Sequence, residues 1–263
     1  MQRQYREFRE KLAEGTILLF RLGDFYEVFG HDAEVAAKVL GLTLTKRHET
    51  PMAGLPHHAA PAYVNRLLAA GWKVAICDQL EAPVAGKLVR RGLTRILTPG
   101  TALEDSQLDS RRGNYLAALC WDKQGWHAAW LDVSTADFRL ASDSSPSRLL
   151  PLLHSVSPRE IILPEGLEPS AADREALEVF LQGRAISRLP GWNFDGAAGA
   201  RLVAQTLSVH GLAGFGLTDE HPALGAAGAV LGYVTDSLCD RPKNLFRLIE
   251  TKLGDSVLLD AAS

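Results

Sequence analysis

"RLGDFYEVFG", residues 21–30, is a glycine-aspartate turn running into alternating residues, the pattern of a half-buried strand. At a period of two, Tyr26 and Val28 point to one face, and Phe25, Glu27 and Phe29 to the other. The first is an ordinary core face. The second sets a carboxylate between two phenyl rings. Upstream, "TILLFRL" is a strand candidate, so 16–29 reads as two strands about Gly23-Asp24. Tyr5, Phe8 and Leu12 recur at helical spacing before it, and "DAEVAAKVLGL" is helical after it. "TLTKRHETPMAGLPHH" reads as a basic, proline-rich loop. "AAPAYVNRLLAAG" is a helix closed by Gly71, and "KVAICDQL" and "LVRRGLTRILTPG" are strands. The first domain is thus mixed α/β, with "TALEDSQLDSRRGN" as the connection to the second half of the chain.

The second half begins with three strand candidates, "NYLAALCWD", "GWHAAWLDVS" and "ADFRLASD", separated by tight turns. A helix ("PSRLLPLLHSV"), a strand ("REIILP"), a helix ("ADREALEVFLQ"), a strand ("AISRLP") and a helix ("AAGARLVAQTLSV") come after them. A meander continuing into α-β-α-β-α is the element order of a ribonuclease H-like sheet, with right-handed parallel crossovers. Another apolar helix, "PALGAAGAVLGYVTDSL", comes next, and "LGDSVLLDAAS" looks like a strand without a partner, as in part of a longer protein.

The 263 residues are 46% hydrophobic and 22% charged, ordinary globular values with length for two domains. No apolar run approaches the roughly 20 residues that span a bilayer, and the charged N-terminus is not a signal peptide. Cys77, Cys120 and Cys239 fit neither a disulfide framework nor a zinc site, which points to a reducing, cytoplasmic setting. The net charge of -3 conceals an asymmetry: residues 1–100 hold 14 basic and 10 acidic groups, net +4, and the remainder is net -7. Such halves suit different partners, and the basic one permits nucleic acid.

Candidates for chemistry are few. Asp122, Asp132 and Asp137 are the carboxylates a ribonuclease H-like nuclease would use for metal, but their spacing makes turn and edge residues the simpler reading. His57-His58 diverge in extended chain and lack a third ligand. No phosphate loop, dinucleotide fingerprint or nucleophile elbow is present, "TPGT" at 98–101 is a turn, and Cys77 is a small buried hydrophobe. There remain Phe25 with Glu27 and the Lys46-Arg47 loop. Phe25 as a core residue competes with Phe25 as an exposed wedge. Glu27 favours the wedge, because an ionised carboxylate is costly to bury beside rings without a partner. Wedges of this kind enter the minor groove and unstack base steps, more cheaply where a base is mispaired or unpaired.

"LLFRLGDFYEVFGHDAEVAAKVLGLTLTKR", "PMAGLPHHA", "VAICDQLE", "LVRRGLTRILTPGT" and "LDVSTADF" together resemble the N-terminal third of the MutS family of bacterial DNA mismatch-recognition proteins. The resemblance implies a mixed α/β mismatch-binding domain at 1–108 and a ribonuclease H-like connector domain, without nuclease activity, at 113–240. Residues 241–263 would be a linker and the start of the lever domain. It implies that Phe25 stacks on a mispaired or unpaired base in mismatched double-stranded DNA and that Glu27 hydrogen-bonds to it. Arg47 and Met52 match positions near the DNA, and Lys46 is a phosphate contact on charge grounds. The 45–54 loop is shorter than in several relatives. A carboxylate near phosphates is disfavoured, which protonation on DNA or a donor on the displaced base would relieve. Glu27 is then unfavourable on matched duplex. The family's ATPase, clamp and dimer-forming segments, with their ATP and Mg, lie outside these residues, so the chain needs no cofactor and is not an enzyme. MutL is the partner expected at the connector. A protein-interaction fragment that never touches DNA, and a metal-dependent nuclease, are the alternatives.

Overall fold

A computed structural model gives the fold and describes residues 2–81, 89–101, 113–240, 242 and 244–253. The chain divides into two compact units, Met1–Ser110 with Asp236–Asp240 and Arg111–Thr235 with Arg241–Ser263. The connection expected at 101–114 and the strand expected at 253–263 lie largely outside the described residues. Among the described residues, no helix is long and apolar enough to cross a membrane.

The first unit runs α1 (Gln2–Arg9), β1 (Thr16–Leu22), β2 (Phe25–Phe29), α2 (His31–Leu40), β3 (Thr45–Arg47), β4 (Thr50–Pro56), α3 (Ala60–Ala69), β5 (Lys73–Gln79) and β6 (Arg91–Leu97). The strands form one sheet in the order β3-β4-β2-β1-β5-β6, with β1 and β5 parallel and the other pairs antiparallel. The unbroken apolar run Ile17-Leu18-Leu19-Phe20 makes β1 a central strand buried on both faces. Its Ile17 and Leu19 face α2 and α3, in a core with Tyr26, Val28, Leu55, Val64, Leu67 and Val74. Leu18 and Phe20 face the opposite side, with Phe29, Ala75, Cys77 and the Tyr5 of α1. Tyr5 meets Phe20 and Phe29 edge-on at 5.6 and 4.9 Å. Its hydroxyl lies 3.3 Å from both the carbonyl oxygen and the N–H of Phe29. The buried Asp32 of α2 accepts from the Leu18 N–H at 3.2 Å and pairs with Arg9 at 3.0 Å, so α1, β1 and α2 are tied at one carboxylate.

Two tight turns fix the registers. Gly23 has φ +59°, and Leu22 faces Phe25, a two-residue hairpin with a left-handed first position, as in a II′ turn. The segment 43–58, expected as a loop, is instead the β3–β4 hairpin. His48 and Glu49 both take positive φ (47° and 64°), the I′ geometry, without the asparagine or glycine that ordinarily signals it. Thr45-Lys46-Arg47 is exposed throughout and Pro51 and Pro56 read as breakers, so no apolar alternation marked these strands. Pro51 is tolerated because the sheet uses its carbonyl, which accepts from Gly30 N–H at 2.8 Å. His57 and His58, read as extended, lie in a 3-10 turn (His57–Ala59).

The second unit runs β7 (Tyr115–Trp121), β8 (Trp126–Asp132), β9 (Asp137–Asp143), α4 (Pro146–Val156), β10 (Glu160–Pro164), α5 (Ala171–Leu181), β11 (Ala185–Leu189), α6 (Gly196–Thr206), α7 (Leu224–Leu238) and β12 (Ile249–Glu250). The sheet order is β11-β10-β7-β8-β9-β12. β7, β8 and β9 form an antiparallel meander, β10 joins parallel to β7, and β11 parallel to β10. Ser145, Ser170 and Asp195 cap α4, α5 and α6 through the N–H groups of Ser147, Asp173 and Ala198. α4 and α5 cover one face through Leu149, Leu153, Leu177 and Phe180. α6 and α7 meet backbone to backbone: a Cβ on Gly228 would lie 2.5 Å from Gly199 Cα, and one on Gly199 2.1 Å from Leu224 O. Both units are thus mixed α/β.

Candidate nucleic-acid interface

Phe25 opens β2 directly after the Gly23-Asp24 turn and is 50% exposed, while its neighbours Tyr26 and Val28 are buried. An apolar ring half in water at the start of a strand, next to a turn, has the geometry a wedge needs. Tyr26 sets it from behind. Its hydroxyl donates to Asp78 Oδ1 at 2.7 Å, and Thr94 donates to Asp78 Oδ2 at 3.0 Å. Burial, then the hydrogen bond to the Asp78 carboxylate and its charge, raise the Tyr26 pKa well above the usual phenol range. Arg21 lies over the Tyr26 ring at 5.6 Å and donates to the Gly23 carbonyl, which closes the turn.

On the wedge face, cross-strand register sets Glu27 between Phe20 and Gly54, and Phe29 beside Met52. Burial deepens along β2: Phe25 is exposed, Glu27 is partly covered, and Phe29 is sealed beneath Tyr5. Met52 is half-buried and packs on the same cluster as Phe29. Glu27 is not unpartnered. Arg47 Nη1 reaches its Oε2 at 3.0 Å, with the carboxylate side chain 19% and the guanidinium 42% exposed. Register explains the meeting: Thr45 faces Met52 and Arg47 faces Thr50, so Arg47 lies on the wedge face with Glu27. Lys46 faces Pro51 on the other side of the sheet and pairs with Glu49 across the turn at 3.4 Å. The structure therefore gathers Phe25, Glu27, Met52 and Arg47 on one face and places Lys46 on the other. Sequence reasoning missed the Glu27–Arg47 pair. Strand parity carries the signal once 45–56 is read as a hairpin.

The other candidates hold structure. Asp132 Oδ1 accepts from the Ser134 N–H, the Ser134 hydroxyl and the Thr135 N–H, and Oδ2 from Asn114 N–H at 3.0 Å. Asp137, its register partner, accepts from Tyr115 OH at 2.8 Å and pairs with Arg139. Asp122 lies at the other end of β7 and β8, bonded at 3.0 Å to His127, whose Nδ1 meets Ser142 Oγ at 2.5 Å. Burial, which raises the Asp122 pKa, is outweighed by the His127 hydrogen bond and the Gln124 N–H, so the carboxyl sits below its usual value. His57 and His58 line a cavity of about 480 Å³ with Tyr26, Asp78, Thr94 and Arg95. Among the described residues, no three His, Cys, Asp or Glu converge as a metal site. In "TPGT", the Thr98 N–H and hydroxyl bond to the Thr101 hydroxyl at 3.1 and 2.8 Å, a closed turn. Cys77 is fully buried, and burial first of all pushes its thiol up to about 12.

Residues 1–106 match the family model for MutS domain I, and residues 114–245 match that for MutS domain II. The chain belongs to the MutS family. The matches are thus to MutS domains I and II and not to the ATPase domain. The chain is 37% identical over 268 residues to a DNA mismatch repair protein MutS from Myxococcus xanthus and 40% identical over 270 to one from Syntrophobacter fumaroxidans. It is 39% identical over 270 residues to a third, from Symbiobacterium thermophilum. These alignments take in 99–100% of the chain and 30% of each relative, so it spans about 30% of the length of the curated MutS relatives it matches.

Proposed function

We propose that the chain recognises mispaired or unpaired bases in duplex DNA as part of mismatch repair, with Phe25 as the wedge and Glu27 as the polar contact to the displaced base. The observation that carries this reading is the half-exposed Phe25 ring on a strand whose neighbours are core, with a carboxylate two residues on along the same face. A matched A·T pair offers only acceptors in the minor groove, which a carboxylate cannot use. A thymine without its partner has a free N3–H to give. Arg47 is a further contact at this face, Met52 packs beneath it, and Lys46 contributes charge from the opposite side of the hairpin tip.

The same proposal divides the chain at 1–108, 113–240 and 241–263. It makes the second domain a ribonuclease H-like connector, a reading supported by the meander β7–β9 running into parallel β10 and β11. The three engaged carboxylates favour a scaffold there over a nuclease, and a MutL-type protein is its proposed partner. ATP, Mg and dimer formation belong to segments outside these residues. A reducing, cytoplasmic setting fits the free thiols of Cys77, Cys120 and Cys239.

Fluorescence anisotropy of labelled duplexes, one with a single unpaired thymine and one fully matched, tests the reading at low salt. The chain binds the unpaired-base duplex more tightly, and Phe25→Ala removes the difference. Equal affinities for both duplexes would contradict it.

A further inference from the structure

We propose that Arg47 is an exchangeable counter-ion: it neutralises Glu27 in the free protein and on matched DNA, and moves to a backbone phosphate when an unpaired base donates to Glu27. This rests on the mismatch reading of the site.

The 3.0 Å pair is the starting point. Glu27's register partners, Phe20 and Gly54, bring no charge, so Arg47 is the cation the structure supplies to this carboxylate. While the pair is closed it is neutral overall. Glu27 then repels no phosphate, and Arg47 attracts none. Breaking it in isolation would strand a partly covered carboxylate, so the pair stays shut on duplex that offers no donor. A freed thymine N3–H changes the balance by satisfying the carboxylate. The guanidinium is then released on a flexible stem at an exposed strand end, where its fork suits phosphate oxygens. Lys46 cannot substitute, because it lies on the other face with Glu49. The exchange ties base recognition to one extra phosphate contact, and gives mismatched DNA an advantage beyond easier unstacking.

Each phosphate contact adds about 0.9 to the slope of log affinity against log salt on B-form DNA. The chain is titrated by anisotropy with matched and unpaired-thymine duplexes across a salt series, alongside Glu27→Gln, Arg47→Gln and Phe25→Ala. The expected slope is steeper by about 0.9 for the unpaired-base duplex than for the matched one. In Glu27→Gln the matched slope rises to the unpaired-base value, because Arg47 is free in both complexes. In Arg47→Gln the unpaired-base slope falls to the matched value, and the matched slope stays where it was. Parallel slopes for the unaltered chain overturn the exchange, whether Arg47→Gln then weakens both complexes equally, as a plain phosphate contact would, or leaves both unchanged, as a pair that never opens would. Discrimination that survives Phe25→Ala overturns the mismatch reading itself, a result separate from any slope.

Discussion

At the scale of single residues, the proposed wedge and its support are separable. Phe25 contributes little to the core, so Phe25→Ala should shift the urea midpoint of the chain by no more than a surface substitution does, within about 0.5 kcal/mol. Tyr26→Phe removes a hydroxyl bonded to the Asp78 carboxylate and leaves that acceptor short of a donor, at a cost of about 1–3 kcal/mol. Its pH signature has a definite sign. The folded-state Tyr26 pKa lies above the unfolded value of about 10, so the stability it confers is complete below that pH and is lost as pH rises beyond it. Urea unfolding between pH 8 and 11.5 should show an alkaline loss that is shallower in Tyr26→Phe. The parity of "FYEVF" made the two faces of β2 legible, and the run in β1 made its burial legible. The sealing of Phe29 was not, because it depends on Tyr5, which arrives from a helix more than 20 residues away. Nor was the partner of Glu27, since Arg47 comes close only when a hairpin that the sequence disguises has formed.

At the scale of elements, that hairpin is the instructive case. Two non-glycine residues hold left-handed conformations at its tip, each disfavoured by roughly 1–2 kcal/mol for ordinary L-residues. Replacing His48-Glu49 by Asn-Gly should therefore stabilise the first unit by about 1 kcal/mol or more, read as a higher urea midpoint with an unchanged m-value. Were the midpoint to fall, the I′ geometry would be wrong. The helices of the second unit were legible from their apolar patterns, and the structure adds Ser145, Ser170 and Asp195 as their caps. The close crossing of α6 and α7 was hidden, because "GAAGAVLG" reads only as a mediocre helix former. It exists because Gly199 and Gly228 lack side chains. Gly228→Ala forces backbone apart and should cost about 1–3 kcal/mol despite its better helix propensity. A stabilising effect would show that the helices separate freely.

For the molecule as a whole, charge and element order were readable early. The first 100 residues carry net +4 and the remainder net -7, which permits nucleic acid at the first and suits a different partner for the second. With so small a basic excess, overall affinity should be weak and should fall between about 50 and 200 mM salt, and the preference for an unpaired base should narrow by roughly threefold over that range. The antiparallel meander and its continuation into parallel strands came from connection rules, because these strands are short, regular and joined by tight turns or single helices, whereas β12 at the sheet edge carried no such signal. The first sheet resisted such reasoning: β3 and β4 gave no strand signal, so its six-strand order emerged only with the hairpin in place. The central claim is that Phe25 enters the base stack. Duplexes carrying 2-aminopurine beside a single unpaired thymine test it most directly, titrated at low salt with the chain and with Phe25→Ala. A fluorescence change on the unpaired-base duplex that is absent from the matched control and lost in Phe25→Ala is the predicted result. Saturated binding with no change in 2-aminopurine emission would contradict the claim.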